Sequence, residues 1–326
     1  MDAPHPVETV ELSVVVPMYD EEAVLPLFAA RLRPVLDAMV ADGLARSYEV
    51  LAVDDGSSDA TPVLLVKERR NWPQLRVVRL RANAGHQAAL SAGLARCRGA
   101  WVASLDADLQ DPPEVVREML ERAKADGVDV VYGVRSDRST DSAFKRTSAR
   151  AYYRLMRSLV GGHITPDAGD FRLISRATVA AVNSLPEHNR VLRLVIPALG
   201  FPSATVGYRR EVRAAGRTHY PLSRMIRLSI DSLTGFTIAP LRVATWAGLG
   251  GAVLTASLFA YALLAWLTGR TVPGWTSTFV AVAGVGAIQL LCVGILGEYV
   301  GRLYTQMQGR PSYFVAHDSL DDDLTD

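Results

Sequence analysis

Two stretches near the C-terminal end constrain this chain more than anything else in it. Residues 243–269 hold no charged side chain over 27 consecutive positions, and residues 271–297 repeat the pattern over another 27. The hydrocarbon core of a bilayer, roughly 30 Å thick, is crossed by about 20 apolar helical residues, so each run is long enough to span with some tilt. Only Arg270 separates the runs, with Pro273 and Gly274 in the turn. The pattern predicts a helical hairpin through a membrane. The plainer alternative is a pair of helices buried in a soluble core, although soluble helices rarely go so many turns without a charge. Gly248, Gly250, Gly251, Gly284 and Gly286 permit close helix contacts in lipid, including packing against copies of the same chain.

The flanking charges orient the hairpin. Arg213, Arg217, Arg224, Arg227 and Arg242 precede it, Arg302 and Arg310 follow it, and the turn carries only Arg270. The positive-inside bias places both termini in the cytoplasm. Residues 1–9 are short and polar, unlike a signal peptide. Between residues 222 and 241, Leu222, Met225, Ile226, Ile230, Leu233 and Phe236 recur near helical spacing, with Arg224, Arg227 and Asp231 between them. This suits a helix lying in the membrane interface, or an ordinary helix packed on the preceding domain.

The first 200 residues have another rhythm. Short apolar runs at Leu12–Val16, Val50–Val53, Leu75–Leu80, Trp101–Leu105 and Val128–Val134 alternate with helical stretches. Such alternation predicts an α/β domain, a mostly parallel sheet with helices on both faces, and open sheets of this type bind ligands just beyond the strand ends. Polar clusters sit in those places. The acidic run Asp318–Asp323 reads as a disordered, solvating tail. The expected organisation is a catalytic domain over 1–221, an interfacial segment over 222–241, membrane helices over 242–299 and a cytoplasmic tail over 300–326.

Composition excludes several classes. With 35 Lys and Arg against 34 Asp and Glu, there is no basic excess to mark nucleic acid as a partner. Two cysteines, Cys97 and Cys292, make no disulfide framework. The six histidines show no metal-ligand spacing.

Two acidic clusters carry the candidate chemistry. Asp106 and Asp108 flank Ala107 just past an apolar run, so both carboxylates project from a turn. Hard oxygen ligands in that setting suit Mg²⁺ or Mn²⁺, which take few carboxylates plus phosphate oxygens; Pro112-Pro113-Glu114 also permits a simple helix start. Asp54-Asp55-Gly-Ser-Ser-Asp59 ends another strand and either holds a nucleoside or forms a turn that caps the next helix.

Taken together, Ser13-Val-Val-Val-Pro17-Met-Tyr-Asp-Glu-Glu22, Val53–Asp59 and Leu105-Asp-Ala-Asp-Leu-Gln-Asp-Pro-Pro-Glu114 closely resemble the GT-A glycosyltransferases of family two. Gly169-Asp-Phe-Arg-Leu173, Gly297-Glu-Tyr-Val-Gly-Arg302 and Gly309-Arg-Pro311 resemble the polyprenyl-phosphate branch, which includes dolichol-phosphate mannose synthases and bacterial undecaprenyl-phosphate glucosyltransferases. The resemblance implies a Rossmann-like GT-A domain with interfacial helices and a two-helix transmembrane hairpin. It implies a nucleotide loop at Pro17, Tyr19 and Glu21, with Asp54 and Asp55 beside the base and ribose. Asp106 and Asp108 match the metal–diphosphate motif, Asp108 as the more direct ligand, with Gln110 near the metal or sugar. Arg217 matches a segment closing over the donor diphosphate. Asp20 and His86 stand where relatives commonly have Asn and Lys.

A lipid monophosphate carries roughly −1.5 to −2 charges, by analogy with phosphorylated side chains. Its oxygen is already nucleophilic, so the harder task is to hold two anions in line. Metal and arginines do this by preorganised charge. Arg135, Arg138, Lys145 and Arg146 follow the fifth strand, and Gly133–Arg138 resembles the acceptor loop. Asp170 matches a candidate base position, or orients Arg172 and the acceptor. The expectation is an inner-membrane enzyme with a cytoplasmic catalytic domain. It would transfer a hexose, glucose from UDP-glucose by preference, to a polyprenyl phosphate with inversion. Mannose from GDP-mannose, a modified UDP-sugar, a processive polysaccharide synthase and a non-enzymatic scaffold are the alternatives.

Overall fold

The computed structural model describes residues 10–135, 168–187, 190–211, 239–269 and 274–323. The chain divides into two units, residues 1–219 with 311–326, and residues 220–310.

In the first unit the strands are β1 (Leu12–Met18), β2 (Tyr48–Asp54), β3 (Leu75–Leu80), β4 (Trp101–Ser104), β5 (Val130–Arg135), β6 (Ala168–Ser175), β7 (Ser203–Tyr208) and β8 (Val315–Asp318). The helices are α1 (Leu25–Ala41), α2 (Thr61–Asn71), α3 (His86–Arg96), α4 (Val115–Asp126), α5 (Arg176–Ser184) and α6 (Leu192–Ala198). The eight strands form one sheet in the order β7-β5-β6-β4-β1-β2-β3-β8.

Every residue of β1 and of β2 is buried, which is why these strands read as continuous apolar runs rather than alternating ones. Leu12, Val14 and Val16 join the core under α1 and α4; Val15, Leu51 and Val53 join the core under α3 and α5. Alternate strand positions thus feed two layers of helix, one on each face. The seating of α3 is close. A Cβ on Gly93 would stand 2.2 Å from Val15 Cγ1, so only a glycine lets that helix lie on β1.

The strands β1 to β4 are mutually parallel, and β5 is parallel to β7. The expected five strands are all present, but the sheet is more mixed than expected, because β6 runs antiparallel between β4 and β5 and β8 runs antiparallel to β3. The chain leaves β1 toward β2 and β3, then returns to β4 on the other side of β1. That reversal is the switch point at which open α/β sheets bind ligands.

The acidic run corrects the expectation of a disordered tail. Val315–Asp318 is the edge strand β8, and Ser319–Asp323 is a short helix, α9. The Asp318 carboxylate is buried and takes a bidentate pair from Arg76 at 2.8 and 2.6 Å, with Arg96 Nε at 3.3 Å. The Ser319 hydroxyl accepts from Val77 N, and Arg81 N donates to Phe314 O. A charge run is solvated only if nothing neutralises it, and here its first member meets a guanidinium 242 residues away in sequence.

The second unit holds α7 (Ala239–Leu267) and α8 (Trp275–Met307). Val243–Ala265 and Val280–Met307 are long and apolar enough to cross a membrane. Their side chains point outward, Trp246 at 70% and Leu290 at 74% exposure among them. A pair of helices buried in a soluble core would hide these surfaces, and here they are exposed. The helices touch each other, with Cys292 donating to Ala244 O at 3.5 Å. The second helix runs ten residues beyond Gly297, carrying the Glu298–Arg302 ion pair on its polar end. The amphipathic segment over 222–238 lies outside the described residues.

Candidate active site

The parallel ladder delivers the loops after β1, β2 and β4 to one end of the sheet. Asp55 N donates to Met18 O, and Leu105 N to Val15 O, so the three strand ends converge.

The loops after β1 and β2 are clasped together. Asp20 takes φ +52°, a left-handed conformation that Asp and Asn tolerate. Its carboxylate accepts from Ser58 N at 2.8 Å, and its own N–H donates to Ser57 Oγ. An Asn at this position would offer the same oxygen acceptor. Glu21 N donates to Thr61 Oγ1, and Glu22 N to Asp59. Pro17 is buried in β1, while the Tyr19 ring stands at 46% exposure on the rim.

Asp54 and Asp55 are both buried and both committed to this frame. Asp54 Oδ1 accepts from Ser57 N at 2.9 Å, and Oδ2 lies 3.2 Å from Arg79 Nε. The two oxygens of Asp55 accept from Ala84 N and Gly85 N at 2.7 and 2.9 Å. Burial pushes the Asp55 carboxyl up and the neighbouring Asp54 charge adds to it, while the two amides work the other way. Asp54 thus makes a local turn contact and Asp55 ties its loop to the segment before α3, and neither caps α2. Gly56, at φ +70°, lies where an added Cβ would be 2.7 Å from Ala82 C, so the loops after β2 and β3 meet there backbone to backbone.

Beyond β4, Asp106 and Asp108 come off the expected turn, with Leu109 at φ +56°. Asp108 is 8% exposed and accepts from Gln110 N at 3.1 Å. Gln110 O accepts from Glu211 N, which fastens the segment after β7 to this turn. Glu211 and Glu114 are both gripped by Arg31, at 2.7 and 2.9 Å. Asp111 is buried and accepts from the Tyr208 hydroxyl at 2.6 Å. Burial raises the Asp106 carboxyl to about 6; the His86 charge opposes this, and Asp111, Asp170 and Asp108 add to it. Among the described residues, no three His, Cys, Asp or Glu side chains converge to hold a metal by themselves. A crowd of carboxylates with room for few protein ligands fits Mg²⁺ or Mn²⁺ completed by substrate phosphate.

Cations border the acids. Arg135, at the end of β5, is drawn toward the Tyr208 hydroxyl, Asp111 and Asp106, and although burial works against its charge these partners raise its pKa. Its Nε is buried without a hydrogen-bond partner among the described residues. His86 Nε2, the first residue of α3, lies 3.6 Å from Asp106 and 3.5 Å from Asp170. Burial lowers the His86 pKa, but Asp170 and Asp106 outweigh it and raise the imidazole above its ordinary value.

Asp170 is the hub of the site. One oxygen takes Arg172 at 2.6 Å; the other takes Gln87 Nε2 at 2.9 Å and lies 3.5 Å from Arg193. Its backbone oxygen accepts from Ser104 Oγ. Burial would raise this carboxyl, yet His86, Arg172 and Arg193 hold it well below the usual carboxylate range. A carboxylate so stabilised is a poor proton acceptor. In this structure the carboxylate is paired with Arg172 and Gln87.

The structure thus gathers Tyr19, Asp54, Asp55, Asp106, Asp108, Gln110, Arg135 and Asp170 at one end of the sheet. Arg138, Lys145, Arg146 and Arg217 lie outside the described residues. Sequence reasoning missed Gln87, Asp111, Tyr208 and Arg193. Asp111 stood inside a quoted motif, whereas Arg193 in Leu192–Ala198 looks like one solvated charge on an apolar helix.

Comparison with known proteins agrees with this geometry. The profile of glycosyl transferase family 2 matches residues 13–182. The glycosyltransferase YkoT of Bacillus subtilis is 38% identical over 317 residues, covering 96% of this chain and 94% of its own. The bactoprenol glucosyl transferase of Shigella phage SfII is 34% identical over 306 residues, covering 94% and 97%. A glucosyl-3-phosphoglycerate synthase from Mycobacterium tuberculosis, solved with Mn²⁺, UDP and glucosyl-3-phosphoglycerate, is 19% identical with a TM-score of 0.48, over 69% of this chain and 78% of that one. With its α/β GT-A sheet, its acidic turn after β4 and relatives of this extent, the chain belongs to glycosyltransferase family 2.

Proposed function

We propose that this enzyme transfers glucose from UDP-glucose to the phosphate of a polyprenyl phosphate, undecaprenyl phosphate in bacteria, at the cytoplasmic face of a membrane that its two apolar helices cross. The reading is supported by relatives named bactoprenol glucosyl transferase that match almost the whole chain, apolar helices included. The observation that carries it is the cationic border of the acidic turn, above all the Nε of Arg135, which has no hydrogen-bond partner among the described residues and lies beside Asp106 and Asp111. A buried donor without an acceptor is costly, and an anionic oxygen at that place satisfies it.

Each residue then has a task. Tyr19 on the rim, with Pro17 and Glu21, receives the nucleotide, while Asp54 and Asp55 act by holding the loops that shape its pocket. Asp108 and Asp106, beside Gln110, would hold Mg²⁺ or Mn²⁺, which when bound neutralises charge on the donor diphosphate. Arg135 and, by resemblance, Arg138 would meet the acceptor phosphate, with Lys145 as a further cation after β5, and by resemblance Arg217 would serve the donor diphosphate. An oxygen of the lipid phosphate attacks the anomeric carbon from the side opposite the diphosphate. The new C–O bond forms as the bond to UDP breaks, and the configuration inverts. No side chain has to remove a proton from a phosphate dianion, consistent with the suppressed basicity of Asp170.

The test is a panel of radiolabelled UDP- and GDP-sugars given to the full chain in vesicles with undecaprenyl phosphate. Lipid-linked label is expected from UDP-glucose. Label from GDP-mannose or a modified UDP-sugar alone would replace the donor, and absence of lipid-linked product from every donor would overturn the reading.

A further inference from the structure

Tyr208, at the end of β7, stands level with Arg135 at the end of β5 in the parallel ladder. Its ring packs where Gly133, two positions before Arg135, has no side chain. An added Cβ there would be 2.9 Å from Phe171 Cδ1, 2.9 Å from Met119 Cε and 3.1 Å from Tyr208 Cε1. Phe171 meets the Tyr208 ring edge to face, with centroids 5.3 Å apart. In so close a seat, packing fixes where the hydroxyl points. That hydroxyl donates to Asp111 Oδ1 at 2.6 Å, and Asp111 is 4% exposed. Burial and the Asp111 charge both push the phenol pKa up, so the donor is neutral. Its oxygen keeps acceptor capacity for the Arg135 guanidinium, which is drawn to it and to Asp111. Burial raises the Asp111 carboxyl, and the Tyr208 hydrogen bond opposes this more than the charges of Arg135 and Arg210 do. A buried carboxylate beside a guanidinium would ordinarily take a charge-assisted pair from it. Here the phenol supplies the hydrogen bond instead.

We infer that Tyr208 is a positioning residue that keeps Arg135 available to the acceptor phosphate, because it satisfies Asp111 with a neutral donor and leaves the guanidinium charge for the incoming anion. This rests on the proposed transfer to a lipid phosphate, with Arg135 at the acceptor. A full fork between Arg135 and Asp111 would consume both the charge and the N–H groups that a phosphate needs. A hydroxyl suits the place because it donates to the carboxylate and accepts from the guanidinium at once. Phenylalanine in the same seat would keep the packing and do neither. Asp111 would then be a buried carboxylate short of a donor, and such a group is costly until a cation pairs with it. Arg135, already attracted to Asp111, is the cation that would move onto it.

The experiment compares the full-length wild type with Tyr208→Phe, Asp111→Asn and the double variant in vesicles. It measures transfer to undecaprenyl phosphate, UDP binding with Mn²⁺ and thermal unfolding. Tyr208→Phe is expected to raise the acceptor KM about tenfold or more while the chain stays folded. UDP affinity should stay within about twofold, since the donor side of the turn is untouched. Adding Asp111→Asn removes the charge that captures Arg135, so the acceptor KM of the double variant should return to within about twofold of the Asp111→Asn single variant. A hydroxyl that only braced the core would give losses that add. An unchanged acceptor KM in folded Tyr208→Phe, equal losses for lipid and UDP, or a double variant that carries the full sum of the two single effects overturns the assignment. Absence of lipid-linked product from the wild type overturns the functional reading itself, and this assignment falls with it.

Discussion

Replacing Asp318 by Ala removes the carboxylate that Arg76 holds in the seam between β3 and β8. Both side chains are less than a tenth exposed. Stripping one partner from a buried pair costs about 3–5 kcal/mol, because the other charge stays buried without it. Arg76 keeps Arg96 O at 2.9 Å and has Glu49 at 3.8 Å, but Glu49 is already engaged by Arg98 at 2.9 Å. The low end, about 3 kcal/mol, is the appropriate figure, and it corresponds to roughly a hundredfold in the local opening equilibrium. Amide hydrogen exchange reads it directly. Val77 N, bonded to Ser319, and Arg81 N, bonded to Phe314, should exchange about a hundred times faster, while amides of β1 keep their protection. The pH dependence follows from sign. Burial would raise the Asp318 carboxyl, but Arg76 and Arg96 outweigh it and hold it below the ordinary value. A carboxylate depressed on folding contributes fully above the unfolded pKa of about 3.9 and loses its contribution as pH falls through the folded one. The difference between wild type and Asp318→Asn should therefore be flat from about pH 5 to 8 and shrink only below about 4. Protection of Val77 and Arg81 within twofold of wild type in a folded Asp318→Ala chain would refute the reasoning and leave the edge strand held by its backbone ladder alone.

Asp108→Asn should abolish transfer and metal-dependent UDP binding, measured by calorimetry, with little change in thermal stability, because the residue sits in a turn and outside the apolar core. Gly93→Ala should destabilise by about 1–3 kcal/mol in denaturant titration, and adding Val15→Ala should recover part of that loss, since Val15 Cγ1 is the atom in the way. Single cysteines at 273–275 should be labelled by an impermeant reagent in sealed cells while cysteines near residue 320 are protected; a labelled tail would reverse the orientation.

The sequence makes the parallel half of the sheet legible because β1 to β5 are buried on both faces or nearly so, and double burial writes itself as an apolar run. The rest of the sheet is hidden for specific reasons. β6 carries Asp170 and Arg172, charges that look like surface until their mutual neutralisation is seen. β7 is a partly exposed edge strand. β8 has four residues that are held by β3, Arg76 and Arg96, all far away along the chain. The same holds for the site. Asp106 and Asp108 stand beside their strand and can be read locally, whereas the link from Asp170 through Gln87 to Arg193 joins β6, α3 and α6 and exists only once the sheet has brought them together.

The position of β8 in the chain sets an order of events during synthesis. Among the described strands of the sheet, all but β8 precede the first apolar helix in synthesis, and β8 follows the second helix. Until then β3 is an open edge, with the backbone groups that β8 will pair and the buried side of Arg76 awaiting a carboxylate. An open edge is a template for pairing with other chains. A nascent chain stalled before residue 311 is thus a nearly complete catalytic domain with one adhesive side, and only a chain that has released both apolar helices can seal it. Completion of the sheet is in this way timed by the completion of the two apolar helices.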